Sequence, residues 1–257
     1  MPHRSEPTGE LRTETSDRWV RGWLGDRAIV NSRESLMFWT PGFPVPFYAF
    51  PPHAIAPGTL RETTPPSAAH PFFGPQTPVL QWFALAGAHA DVPQRPVAWR
   101  LAALPERVVV SWEPGVLDRW TEEEDEVFVH PRDPYKRVDA LRSSRHVRVL
   151  LDGEVLAESR FPVLLFETGL PMRSYLPVRD VNLGLLTESS TVTRCPYKGE
   201  TTGYWSFGDH RDIAWTYADP VPACAEIAGR IAFYDEFVDV EIDGVRQPRP
   251  QTSFSRD

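Results

Sequence analysis

Apolar residues in this chain recur with a period of two over short stretches, and turn residues cut those stretches apart, which predicts strands rather than helices. Val147, Val149 and Leu151 alternate with outward positions; Asp152-Gly153 supplies a two-residue turn, and Val155 and Ala157 resume the alternation. Such a pair favours a hairpin because both turn residues tolerate positive φ. The same layout occurs earlier, where Gly25-Asp26 precedes Ala28–Val30. Near the end, Val238, Val240 and Ile242 alternate with Asp239, Glu241 and Asp243, the pattern of a half-buried strand. The one helix predicted is a short one near Ala223–Ala228. An all-β fold with few short helices follows.

The pattern is also written twice. Residues 24–51, LGDRAIVNSRESLMFWTPGFPVPFYAFP, echo residues 151–177, LDGEVLAESRFPVLLFETGLPMRSYLP. VAW at 97–99 answers IAW at 213–215, and RVVVSWE at 107–113 answers RIAFYDE at 230–236. The expectation is two tandem, diverged copies of a small β-sheet or barrel-like domain. Residues 1–18 read as a disordered tail, 19–120 as a first, degenerate repeat, 121–145 as an acidic and basic linker, 146–245 as a second repeat, and 246–257 as a second tail.

Composition narrows the function classes. With 27 prolines and 16 glycines among 257 residues, the chain is broken into short segments that suit turns and strands. A net charge of −8 argues against a nucleic-acid partner, since binding there rests on Lys and Arg neutralising phosphates. No apolar run is long enough to span a membrane and the start lacks the apolar core of a signal peptide, so the expectation is a cytoplasmic protein without a membrane partner. Two cysteines, Cys195 and Cys224, exclude a disulfide framework and an all-cysteine zinc site. Histidines are scattered without ligand spacing, so neither metal nor cofactor is expected.

HPRDPYKRVDALRSSRHVRV, GEVLAES, FETGLP, YLPVRDV, T-x-C-P-Y-K-G, YWS, AWTY and IAFYDEFVDVEIDG follow one another in order. Taken together they resemble the domain-of-unknown-function 427 family, in the two-copy form of actinobacterial proteins. The resemblance covers nearly the whole chain beyond the tails, most closely in the second half. It implies little about activity. The nucleotidyltransferase label sometimes attached to the family finds no support in these residues, because neither a Gly-rich phosphate loop nor an Asp-x-Asp pair is present.

Two copies let each act as a control for the other. Ser32/Ser159, Arg33/Arg160, Gly42/Gly169, Pro44/Pro171, Tyr48/Tyr175 and Trp99/Trp215 align and read as scaffold. The differences read as chemistry: Glu167 stands against Thr40, Arg173 against Pro46 and Asp180 against Ala54, while Cys195, Tyr197 and Lys198 have no counterpart. The catalytic candidates are Lys198, Glu167, Asp180 and Cys195. Lys198 would be an acid, base or Schiff-base amine, Glu167 or Asp180 the opposing proton carrier, and Cys195 either a nucleophile activated by Lys198 or a small buried hydrophobe. Arg173 would grip an anionic group, with Tyr197, Tyr204, Trp205, Trp215 and Tyr217 lining a pocket. A Ser159–His210–Asp180 triad can be assembled on paper, without a G-x-S-x-G elbow to support it.

The resulting expectation is a cofactor-independent enzyme that moves protons on a small organic molecule, in a monomer with internal pseudo-symmetry or a weak homodimer. The alternatives are a ligand-binding or assembly module without turnover, with Trp82 and Phe83 as an exposed contact face, and an ion-pair network that only holds strands together.

Overall fold

A computed structural model describes residues 11–86 and 95–255. It divides into two compact units, Met1–Tyr135 and Lys136–Asp257. The fold is all-β: every helical element among the described residues is a short 3-10 turn, the longest being Pro222–Ile227. None of these is long and apolar enough to cross a membrane.

The second unit is built on a seven-stranded antiparallel sheet. Its order in space is Val138–Arg142, Val163–Glu167, Arg173–Leu176, Ile231–Phe233, His210–Thr216, Gly203–Phe207 and Thr187–Ser189. A four-stranded sheet carries the Asp152-Gly153 hairpin, with Glu154–Ser159 and Val147–Leu151 next to Asp239–Ile242 and Val245–Arg246. Asp152 and Gly153 take φ of 51° and 86°, as their turn requires. Val147, Val149, Leu151, Val240 and Ile242 from the smaller sheet pack with Leu176, Ile231 and Phe233 of the larger one. This inner face is the apolar core. The opposite, outer face of the seven-stranded sheet carries a second cluster: Val163, Leu165, Tyr175, Ala232, Trp215, Tyr217 and Tyr204, roofed by Cys224 and Ile227 from the 3-10 turn.

The first unit repeats this order. Arg12–Thr15, Leu36–Trp39 and Phe47–Ala49 form one sheet, and Val109–Val110, Ala98–Leu101, Val79–Leu85 and Leu60–Thr63 another, joined by a bridge between Phe50 and Val108. A hairpin sheet again accompanies them, with Val20–Leu24 between Arg27–Ser32 and Arg119–Glu122. The hairpins share a bulge, after Gly22 in one unit and after Val149 in the other.

Three expectations about boundaries change. The segment 121–145 is not a linker, because it contributes Arg119–Glu122 and Asp125–Val127 to the first unit and Val138–Arg142 to the second. Glu122 is buried because it accepts from Arg18 at 2.9 Å, Tyr48 at 3.1 Å and the Arg132 backbone at 3.1 Å. Of the first tail, residues 1–10 lie outside the described residues, whereas Arg12–Thr15 is a paired strand. Of the second, Val245–Arg246 is a strand, and Thr252 and Phe254 make specific contacts.

Candidate functional site

Period-two alternation decides which side chains reach the outer face. Val163, Leu165 and Glu167 share it, with Arg173 and Tyr175 beside them through the Leu165–Arg173 and Val163–Tyr175 pairs. The Tyr175–Ala232, Ala232–Trp215 and Trp215–Tyr204 pairs then carry one row of side chains across the sheet. Over this row folds a hairpin, Arg194–Cys195 paired with Gly199–Glu200, whose turn holds Pro196, Tyr197 and Lys198. Gly199 has a φ of 103°, a conformation open mainly to glycine, and the Lys198 carbonyl next to it accepts from Val221 N at 3.1 Å. That turn presents the lysine to the sheet.

Lys198 Nζ meets Glu167 Oε2 at 2.5 Å, with Lys136 Nζ 3.7 Å from Glu167 Oε1. Burial alone would lower the Lys198 pKa, but interactions with Cys195, Glu167 and Tyr175 outweigh it and hold the value above the ordinary range. This favours the charged amine and works against the neutral form that a base or Schiff-base nucleophile needs. Tyr175 is wholly buried, accepts from Trp215 Nε1 at 3.3 Å, and has its own pKa raised by burial. Tyr217 is raised in the same way, next to Tyr175, Cys195, Tyr204 and Tyr234. Tyr204 completes a hydroxyl chain, 2.9 Å from Thr193 Oγ1 and 3.2 Å from the Tyr234 hydroxyl.

Arg173 does not stand free to grip an anion. Its guanidinium donates to Glu236 at 3.0 and 3.1 Å and to the Phe233 carbonyl at 3.2 Å, and lies 3.2 Å from Asp235. Burial would lower its pKa, yet the two carboxylates raise it. It also sits 5.6 Å above the ring of Trp215 and 5.7 Å from that of Tyr234. The two carboxylates diverge. Burial pushes Asp235 up to about 6 despite Arg173, whereas Glu236, although burial acts against it, is held below its ordinary value by Arg173 and by Thr252.

Eight expected residues thus belong to one face: Glu167, Lys198, Cys195, Arg173, Tyr204, Trp215 and Tyr217 by the contacts above, and Tyr197 through its turn. The Tyr197 carbonyl accepts from the Cys224 thiol at 3.4 Å, and burial pushes that thiol up to about 11. Two expected residues do not join them. Trp205 follows Tyr204 in its strand and so points to the inner face, where it packs on the apolar core. Asp180 lies in the 3-10 turn Val178–Asp180 and accepts from Ser159 Oγ at 2.6 Å. No triad forms there, since His210 instead meets Asp152 at 2.9 Å. Trp82 and Phe83 are half-buried against the first unit's clusters and do not make an exposed face.

The strand registers also correct the alignment of the halves. Phe38 pairs with Phe47 and Leu165 with Arg173, which sets Phe47 against Arg173, Tyr48 against Ser174 and Ala49 against Tyr175. The turn between these strands is one residue longer in the first unit, and a one-residue slip sends a side chain to the opposite face. Tyr48 accordingly packs in the inner core and gives its hydroxyl to Glu122. The matching outer face of the first unit is apolar, built from Phe38, Phe47, Ala49, Trp99, Leu101 and Val109. Register matching further sets Ser111 against Tyr234 and Trp112 against Asp235. The aligned segments RVVVSWE and RIAFYDE carry this signal in the sequence itself, with Trp112 against Asp235.

Among the described residues no group of three His, Cys, Asp or Glu side chains could hold a metal ion. Residues 139–244 match the model of a family described as a domain of unknown function (DUF427). The match lies within the second unit and takes in every residue of the face from Glu167 to Glu236. No curated protein matches the chain.

Proposed function

We propose that the outer face of the second unit is an acid–base site for a small organic molecule, working without a cofactor. One observation carries this reading. At register-matched positions where the first unit has Phe47, Ala49, Leu101, Ser111 and Trp112, the second has Arg173, Tyr175, Tyr217, Tyr234 and Asp235, and these polar groups interact with one another. A scaffold that packs with apolar residues in one unit has no structural need for charge in the other. We further infer that the units are diverged copies within one pseudo-symmetric monomer.

In this reading Asp235 is the proton carrier, because a carboxyl with a pKa of about 6 can both hold and release a proton near neutrality. Arg173 orients it and favours its ionised form. Lys198, kept charged, stabilises negative charge that develops on the ligand, and Glu167 fixes the direction of its ammonium group. Tyr204, Tyr234 and Trp215 supply hydroxyls and ring faces.

The test is incubation of the chain with a complex metabolite mixture in D2O, followed by mass spectrometry. The wild type should label or convert a small set of metabolites, and Asp235→Asn should abolish this while remaining folded. A metabolite converted equally by the variant would overturn the role of Asp235. A second reading, ligand binding without turnover, is favoured by the mutual satisfaction of Arg173, Asp235 and Glu236. It would be preferred if a metabolite bound stoichiometrically and emerged unchanged and unlabelled.

A further inference from the structure

None of the described residues after Ile242 is buried, yet the chain returns to the outer face of the sheet. Gln247 N donates to the Val240 carbonyl at 2.7 Å, and Arg246 and Arg249 both pair with Asp239, the latter at 3.1 Å. Beyond Pro250 the backbone closes a compact turn. Thr252 N donates to Ser255 Oγ at 3.1 Å, Ser255 N to the Thr252 carbonyl at 3.1 Å, and Phe254 N to Thr252 Oγ1 at 3.0 Å. Two contacts join this turn to the site. Thr252 Oγ1 donates to Glu236 Oε1 at 2.8 Å, and the Phe254 ring lies 5.7 Å from that of Tyr234.

We propose that the Thr252–Ser255 turn is a hinged lid over the Arg173–Asp235–Glu236 end of the site, and that it gives way to an entering ligand carrying a hydroxyl or amine beside a flat apolar group. This rests on reading the outer face as the functional site. What the lid covers is closed: the side chain of Glu236 is 0% exposed and that of Arg173 9%. What holds it is limited to two contacts, one hydroxyl bond to Glu236 and one ring contact by Phe254, which is itself 43% exposed. The hinge falls between the Arg249 anchor and Thr252, at the exposed Gln251, because the ring of Pro250 fixes that residue's own φ. The ligand chemistry follows from the stand-in. A donor must replace the threonine hydroxyl on Glu236, or that carboxylate loses a partner, and a planar group must replace the phenyl ring on Tyr234.

The experiment reads the lid without any substrate, so a failure to find turnover would sink the acid–base reading and leave the lid standing. Side-chain N–H exchange at Arg173 is followed by NMR in the full chain, in Thr252→Ala/Phe254→Ala, and in a chain ending at Arg249. Both altered chains should exchange at least tenfold faster while keeping their thermal midpoint within a few degrees, since no buried residue is lost. A fluorine label on Phe254 in the full chain should report exchange between a packed and a free ring. Unchanged Arg173 exchange in both altered chains overturns the proposal, as does a single, non-exchanging fluorine environment.

Discussion

Removing either partner of the Glu167–Lys198 pair should cost stability unequally, and removing both should restore most of it. The side chains are 5% and 12% exposed, so each relies on the other and not on water. Among the described residues, Glu167→Leu leaves Lys198 charged with no other carboxylate in an ion pair with it, at a cost of about 3–5 kcal/mol for an orphaned buried charge. Lys198→Met leaves Glu167 with Lys136, 3.7 Å away and 25% exposed. A partly wet pair of that kind contributes up to about 1 kcal/mol, so the methionine variant should be milder by roughly that amount. Glu167→Leu/Lys198→Met places two apolar side chains on a face already lined by Val163 and Leu165, and buried pairs replaced in this way are often neutral or better. With the double variant near neutral, the cycle should therefore return a coupling close to the sum of the two single losses, about 5 kcal/mol or more. Native-state hydrogen exchange of the Val163–Glu167 and Arg173–Leu176 strands reads the second unit directly. Additive losses, with the double variant the least stable of the three, would refute the claim that these charges need each other.

The pH profile should carry two opposite signatures. Asp235 binds its proton more tightly folded than unfolded, about 6 against 3.8, so its stabilisation is present below pH 4 and is lost as pH rises through about 6. That loss is on the order of 2–3 kcal/mol at about 1.4 kcal/mol per pH unit, and urea unfolding should find the slope flattened in Asp235→Asn. Glu236, with its value lowered, contributes in the other direction: stability present above its ordinary 4.5 is lost as pH falls below it. Maleimide at pH 8 should label half-exposed Cys195 and spare Cys224, which is fully buried with its thiol pushed up to about 11; peptide mapping that finds Cys224 modified first in the folded chain would contradict this. Gly199→Ala should destabilise by about 1–3 kcal/mol through its φ of 103° alone, seen as a lower denaturation midpoint.

Fold class was legible because alternation and turn chemistry are local: Val147–Leu151, Asp152-Gly153 and Glu154–Ser159 form the hairpin their residues predict. Glu167 and Lys198 were legible for another reason, since each differs from the first half and their types complement each other. Other features lay beyond one-dimensional reading. The alignment placed Tyr175 on Tyr48 because the residues are identical, and only the strand pairs reveal that a longer turn has put these two tyrosines on opposite faces. Trp205 was selected for its neighbours in sequence, although adjacent strand residues face apart. The acidic run at Glu122–Glu126 looks like solvated linker by composition. Its first member is buried only because Arg18 and Tyr48 converge on it from far along the chain.

A β-sheet can carry such a site because its two faces are independent. The inner face of the seven-stranded sheet is occupied by Leu176, Ile231 and Phe233 packing on the hairpin sheet, and that cluster supplies a core whatever the outer face contains. Substitution on the outer face is then limited by local satisfaction alone. Each charge needs a partner within the same row or the next, which is why the gained charges are paired, Lys198 with Glu167 and Arg173 with Asp235 and with Glu236, whose counterpart Glu113 is a carboxylate too. Asp235 is the member whose pairing is incomplete. Glu236 takes both terminal nitrogens of Arg173, leaving Asp235 with one contact at 3.2 Å and a raised pKa. The residual imbalance at Asp235 is the feature on which its proposed role as proton carrier rests.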